Sequence, residues 1–214
     1  ELALHDVVVI GGVESGPDQF SPFAGALRAY VEQGGGLVTT GFGIDAAAGL
    51  SGQVRSDFDA VVPINTDGGP AYLYQVSIAP AGTHPIVAGV NAFYLGDGVW
   101  AEYPAATPEV DAGASLLATS GSTPVAAAMT AGDGRSVYLG LGYAQYYGDT
   151  LPLRAGGADR LLEQAAAWAA KPRRGYTVAA SAGDALVVET FTPGDASGVP
   201  QNALDPRLVL YDPD

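Results

Sequence analysis

The chain has 214 residues, 48% of them hydrophobic, a formal net charge of -14 and no cysteine. That is enough apolar material for one good-sized core, or for a core and a smaller module. The absence of thiols excludes disulfides, cysteine nucleophiles and cysteine-held metal centres. With nine Lys and Arg against 23 Asp and Glu, a phosphate-gripping surface is not expected, and nucleic acid is excluded as a partner.

Glu1-Leu2-Ala3-Leu4 shows neither an initiator Met nor a signal-peptide layout, so the chain is expected to begin at an internal or processed position. No apolar run approaches the length of a membrane span, and no membrane insertion is expected. "HDVVVIGG" (5–12) is a continuous apolar run ending in glycines, which predicts a central strand buried on both faces of a parallel sheet. "GGVESG" (11–16) lacks the spacing of a phosphate loop, and nucleotide binding is not expected. Ser21-Pro22 predicts a helix start, with Phe23, Leu27, Tyr30 and Val31 at helical spacing and Gly34 as the stop. "GLVTTG" (36–41) is the next strand, completing a right-handed βαβ unit. The chain then turns sharply at Gly41-Phe42-Gly43 into an alanine-rich segment that could open another helix, as strand-to-helix elbows of α/β enzymes do.

Between 51 and 112 the stretches "FDAVVPIN" and "AYLYQVSIAP" predict short strands separated by long loops. "ASLLATS" (114–120) restores a regular pattern. "PVAAAMTAG" and "RSVYLGLGYA", joined at Gly132-Asp133-Gly134, predict an antiparallel hairpin. Residues 156–171 read as an amphipathic helix, with Leu161, Leu162, Ala165, Trp168 and Ala169 toward the sheet and Arg160, Glu163 and Gln164 toward water. Pro172 ends it. Beyond lies period-two alternation, so a boundary is expected at 172–175, with a β-module over 176–214 too small to be stable without partners.

Two resemblances add to this reading. In "DVVVIGG", "LRAYVEQGGGLVTTG", "HPIVAGV", "VAAAMTAGDGRSVYLGLGY" and "LLEQAAAWAA", residues 6–171 resemble the class I glutamine amidotransferase-like fold, in particular its ThuA-like branch. The fold implied for residues 1–171 is a flavodoxin- or Rossmann-like, mostly parallel sheet with flanking helices and an antiparallel late hairpin. Residues 176–214 are similar to the first half of the bacterial pre-peptidase C-terminal domain, through Leu204-Asp205-Pro206-Arg207-Leu208-Val209-Leu210-Tyr211-Asp212. That resemblance implies a partial β-sandwich in a longer modular protein with an extracellular, cell-surface or periplasmic location.

The amidotransferase resemblance implies a cysteine at the elbow and a His-Glu pair after a later strand. This chain has Phe42 at the first place and Tyr143-Ala144-Gln145 near the second, so nucleophile and base are both missing and no catalytic residue is assigned. Neither of the two histidines restores them. His84, before Pro85, reads as a cap for backbone groups in preference to a general base, and His5 precedes the first strand. Asp57, Asp59, Asp67, Asp97, Glu102 and Asp149 read as solvated loop carboxylates. Asp195, Asn202, Asp205 and Asp212 could bracket calcium, but turn-starting hydrogen bonds explain them better, and no metal or cofactor is expected. Tyr143, Tyr146 and Tyr147 offer the best binding surface, with Phe42, Asp45 and His84 as further binding candidates. Tyr72, Tyr74, Tyr94, Trp100 and Tyr103 add aromatics in the middle region. The expected function is a non-catalytic interaction domain whose partners are other protein chains or further domains of its parent, with a glycan as a possible ligand. The alternatives are a ThuA-like carbohydrate-related hydrolase using loop carboxylates and His84, or a tyrosine-lined sugar-binding module.

Overall fold

A computed structural model gives the fold, with residues 2, 5–11, 21–143 and 151–170 described. The chain divides into two units, Glu1–Arg173 and Arg174–Asp214. The described elements belong to the first, and the expected β-module over 176–214 lies outside the described residues.

The first unit opens with strand β1 (Val7–Ile10), helix α1 (Ala24–Glu32) and strand β2 (Gly36–Thr39), the βαβ unit read from the sequence. Helix α1 starts later than Ser21-Pro22 suggested. Its N-cap is Phe23, which offers no side-chain cap, and residues 21–23 form a turn. Its end follows the glycines closely. Gly34, at φ 99°, donates its N–H to Val31 O and Gly35 donates to Tyr30 O, the paired bonds of a Schellman motif that a left-handed residue makes possible.

Helices α2 (Gly43–Ala48) and α3 (Gly52–Asp59) follow. The apolar stretch from Phe58 is therefore the end of a helix and a turn, not a strand. Val54, Phe58, Val61 and Val62 recur at helical spacing and pack together against the core. The remaining elements are β3 (Pro70–Tyr74), β4 (Ser77–Pro80), β5 (Phe93–Tyr94), β6 (Trp100–Pro104), β7 (Ser115–Ser120), β8 (Thr123–Ala131), β9 (Gly134–Leu139) and helix α4 (Gly156–Ala169).

Among the described residues seven strands form one sheet in the order β1-β2-β9-β8-β7-β4-β5, and β3 pairs with β6 in a separate ribbon. Only β1 with β2 and β2 with β9 run parallel; the other four pairings are antiparallel. The mostly parallel, flavodoxin-like expectation is thus corrected to a mixed α/β sheet. The reason is connection length: β7, β8 and β9 are joined by two-residue links, and a parallel crossover needs a dozen or so residues. The turn at Gly132-Asp133 is the one read from the sequence, and Ala131 pairs with Gly134 across it.

Strand β1 is also corrected. Among the described residues its one neighbour is β2, and Val9 is 50% exposed. An apolar run sets the tendency to be buried, but it carries no record of which strands will flank it. Alternation along the strands divides the core into two layers. Val38 and Val137 point to the layer covered by α4, whereas their chain neighbours Leu37 and Tyr138 point to the layer of α1, α2 and α3. Helix α4 buries Leu161, Ala165 and Ala169 and half-buries Leu162 and Trp168, as its periodicity predicts.

Candidate functional site

The elbow sits at the carboxyl end of β2, where the chain leaves the sheet. Thr40 donates its N–H to Ile10 O and Gly41 to Leu141 O, both at 2.9 Å, so the backbone is held between the two neighbouring strand ends. A Cβ on Gly41 would lie 2.7 Å from Trp100 Cη2, and this approach requires glycine. The next residue, Phe42, has φ 72° and ψ 8°. For a residue with a side chain this left-handed conformation costs roughly 1–2 kcal/mol.

What holds Phe42 there is the β3–β6 ribbon lying over the elbow. Directly opposed residues of an antiparallel pair share a face, so Tyr72 with Glu102 and Tyr74 with Trp100 face one way. The Phe42 ring meets Trp100 edge-on at 4.6 Å between centroids and Tyr72 at 6.3 Å, and Tyr72 meets Trp100 at 5.2 Å. Each such pair adds about 0.5–1.5 kcal/mol beyond area burial, so the two contacts of Phe42 together match the cost of its backbone. The ribbon is itself anchored to the sheet end: Glu102 N–H donates to Gly140 O at 2.6 Å, and Gly142 N–H donates to Trp100 O at 3.2 Å.

The same ribbon delivers a carboxylate. Glu102 is 0% exposed. Its Oε2 accepts from Ile44 N–H at 3.0 Å and from Tyr138 O–H at 2.8 Å, and its Oε1 accepts from Asp45 N–H at 2.9 Å. These are the first free N–H groups of α2, and helix starts favour negative charge. Burial nevertheless dominates. It pushes the Glu102 carboxyl up to about 7, against the opposing pull of those hydrogen bonds and with a further push from Asp45. Burial also raises the Tyr72 and Tyr138 hydroxyls, and the nearby Glu102 raises both further.

Chemically, the elbow has the backbone of a nucleophile turn and the contents of a packed core. Phe42 offers a benzyl group. Both oxygens of Glu102 are engaged internally and shielded from solvent.

The other sequence candidates fall elsewhere. Tyr143 is 7% exposed and donates its hydroxyl to Ala158 O on α4 at 2.6 Å, so it is a core residue and not part of a binding surface. The "YAQYY" reading failed at this position because Tyr143, four residues after β9, packs against α4. Tyr146, Tyr147 and Asp149 lie outside the described residues, as do Asp195, Asn202, Asp205 and Asp212. His84 Nδ1 accepts from Ile86 N–H at 3.3 Å, and its ring stacks edge-on against Trp168 at 4.8 Å. Burial and then Arg135 hold the imidazole below its ordinary pKa. Its described partners belong to its own turn and to α4, not to the elbow. Asp45 is exposed on the first turn of α2. Among the described residues no group of three or more His, Asp or Glu could hold a metal, and no helix is long and apolar enough to cross a membrane.

Glu102 was misread as a solvated loop carboxylate; it lies in β6 and is buried. A signal was present in "WAEYP", where an acid stands two residues from tryptophan within an apolar run. Tyr138, inside "RSVYLG", gave no sign of a polar partner.

No family model matches the sequence, and no curated protein matches it at a significant level. Solved structures do share the fold. A cytoplasmic protein from Salmonella typhimurium superposes with a TM-score of 0.62 at 16% identity, covering 79% of this chain and 74% of that one. A second cytoplasmic protein from Salmonella typhimurium gives 0.58 at 16% identity, with the same coverage. A ThuA-like protein from Parabacteroides merdae gives 0.54 at 18% identity, covering 83% of this chain and 75% of that one. The expectation of an extracellular, cell-surface or periplasmic location is overturned by this comparison. Two of these neighbours are cytoplasmic proteins, and the resemblance that motivated export falls on residues outside the described part. At such identities the likeness is one of architecture, and the architecture of this chain is a ThuA-like α/β fold.

Proposed function

We propose that this chain is a non-catalytic ThuA-like domain that acts through protein contacts. The observation that carries the reading is the filled elbow. The residue in the nucleophile conformation is Phe42, packed by Trp100 and Tyr72. The buried carboxylate at the turn, Glu102, is saturated by Ile44, Asp45 and Tyr138. A general acid or base must come within about 3 Å of a substrate proton, and a fully buried group with internal partners does not do so. In the carbohydrate hydrolase alternative, which joins loop carboxylates to His84, the imidazole is engaged with its own turn and with Trp168, and this favours the non-catalytic reading.

The test is direct. The full chain, assayed against amide, ester and glycoside chromogenic substrates between pH 5 and 8, is expected to give no turnover above a heat-denatured control. Turnover that disappears in Glu102→Gln or His84→Ala, with the circular dichroism spectrum unchanged, would refute the proposal.

A further inference from the structure

The elbow filled from inside still presents an outer lip. Phe42 and Tyr72 are half-buried, and Tyr74, on the same ribbon face as Tyr72, is 59% exposed. Asp45 stands at this lip. It lies three residues along the chain from Phe42, its N–H donates to Glu102 Oε1 at 2.9 Å, and Glu102 lies directly opposite Tyr72 on the ribbon. In most helices an acid in the first turn serves the free N–H groups, but those of Ile44 and Asp45 are already taken by Glu102. Among the described residues no ion pair engages Asp45. The described arginines nearest in sequence are committed: Arg28 to Glu32 and Asp57, and Arg55 to Asp67 and Thr66.

An exposed carboxylate without an ion pair among the described residues, close to a cluster of aromatic side chains, is the chemistry that receives a cation. The ring quadrupoles attract positive charge, and the carboxylate supplies a directional acceptor. Arginine fits better than lysine, because its planar guanidinium can stack on a ring while it bonds the carboxylate. The chain's net charge of -14 adds long-range attraction for a basic partner.

We infer that the lip formed by Phe42, Tyr72, Tyr74 and Asp45 is a docking site for an arginine side chain of a partner protein. The inference rests on the proposed function, since it names the chemistry of the contact through which the domain acts. The two fail separately: turnover removes the functional reading, whereas the experiment below addresses the site alone.

The chain has two tryptophans, so Trp168→Phe leaves Trp100, packed beneath the lip, as the sole tryptophan reporter. The full-length Trp168→Phe protein is titrated with acetyl-Gly-Arg-Gly-amide and with acetyl-Gly-Gln-Gly-amide at low salt. A saturable change in Trp100 emission is expected with the arginine peptide, about tenfold or more weaker with the glutamine peptide. Asp45→Asn, at an exposed position that leaves the fold intact, is expected to weaken the arginine peptide by about threefold or more. Glu163→Gln, an exposed acid on α4, is expected to leave binding unchanged. Equal response to both peptides, no response, or equal weakening by Asp45→Asn and Glu163→Gln would each overturn the site, the last by reducing it to unspecific charge attraction. Tyr72→Leu supplies a second reading of the same site, and unchanged affinity in a folded Tyr72→Leu protein would likewise overturn it.

Discussion

Replacing Glu102 by glutamine isolates the electrostatics of the elbow. In the folded chain the carboxyl is pushed from an ordinary 4.5 to about 7, chiefly by burial. The folded state therefore holds a proton that the unfolded state releases across this window. Where the native state binds more protons than the unfolded state, stability falls as pH rises. The loss sets in above pH 4.5 and is complete above about pH 7. At roughly 1.4 kcal/mol per pH unit, the penalty of ionised Glu102 amounts to about 3 kcal/mol. Glutamine has nearly the shape of the protonated acid and does not titrate, but its amide nitrogen cannot accept from a donor as each Glu102 oxygen does. Glu102→Gln should thus carry a pH-independent cost of about 1–3 kcal/mol and, relative to the wild type, gain about 2–3 kcal/mol in stability between pH 5 and pH 8. Urea unfolding followed by circular dichroism at pH 5, 6, 7 and 8 measures this, with the linear slope checked for constancy. Subtracting the two curves cancels the contributions of Asp111 and His84, which titrate in both proteins. Parallel curves would refute the account of Glu102 as a carboxylate whose burial outweighs its hydrogen bonds.

Four further outcomes follow from the same geometry. Phe42→Ala keeps the left-handed backbone and loses both ring contacts, whereas Phe42→Gly loses the rings but relieves the backbone, so the glycine variant should be more stable than the alanine variant by about 1 kcal/mol in urea melts. Tyr138→Phe removes one of the two donors to Glu102 Oε2; it should cost about 1–3 kcal/mol above pH 7 and move the midpoint of the Glu102-linked stability change to higher pH. Gly134→Ala would press a Cβ against the carbonyl oxygens of Val31 and Gly35, where backbone cannot give way, and should lower the urea midpoint by an amount corresponding to about 1–3 kcal/mol at unchanged slope. Asp111, half-buried near Asp59, Glu109 and Asp67, has its carboxyl pushed up to about 6, first by burial and then by those acids; Asp111→Asn should flatten the fall in stability between pH 4 and 6 and raise stability above it, read by thermal melts across that range.

The periodic segments were legible because each records a local physical demand. The hairpin at Gly132-Asp133, the stop at Gly34 and the buried stripe Leu161, Ala165 and Ala169 depend on backbone freedom and side-chain spacing within one element. The helix α3 was hidden behind "FDAVVPIN", whose apolar residues straddle a helix end and a turn, so that neither period ran long enough to stand out. The vacancy of the elbow was also legible, since Phe42 and the missing cysteine are facts of composition and position. What fills it was not. Glu102 lies 58 residues from Ile44 and 36 from Tyr138, and nothing in the neighbourhood of "WAEYP" announces that its acid will meet a helix start instead of water.

By itself, then, the amino-acid order determined which stretches coil, which extend and where the chain turns, together with the absence of sulfur and imidazole at the elbow. Those properties arise from neighbours within a few positions. Tertiary structure alone decided that, among the described residues, β1 has one neighbouring strand and four of the six sheet pairings are antiparallel, that Tyr143 is core, and that Glu102 is buried with three donors. Each of these depends on which distant segments come together. That choice is made by the summed burial of many side chains and not by any motif that contains the residue concerned.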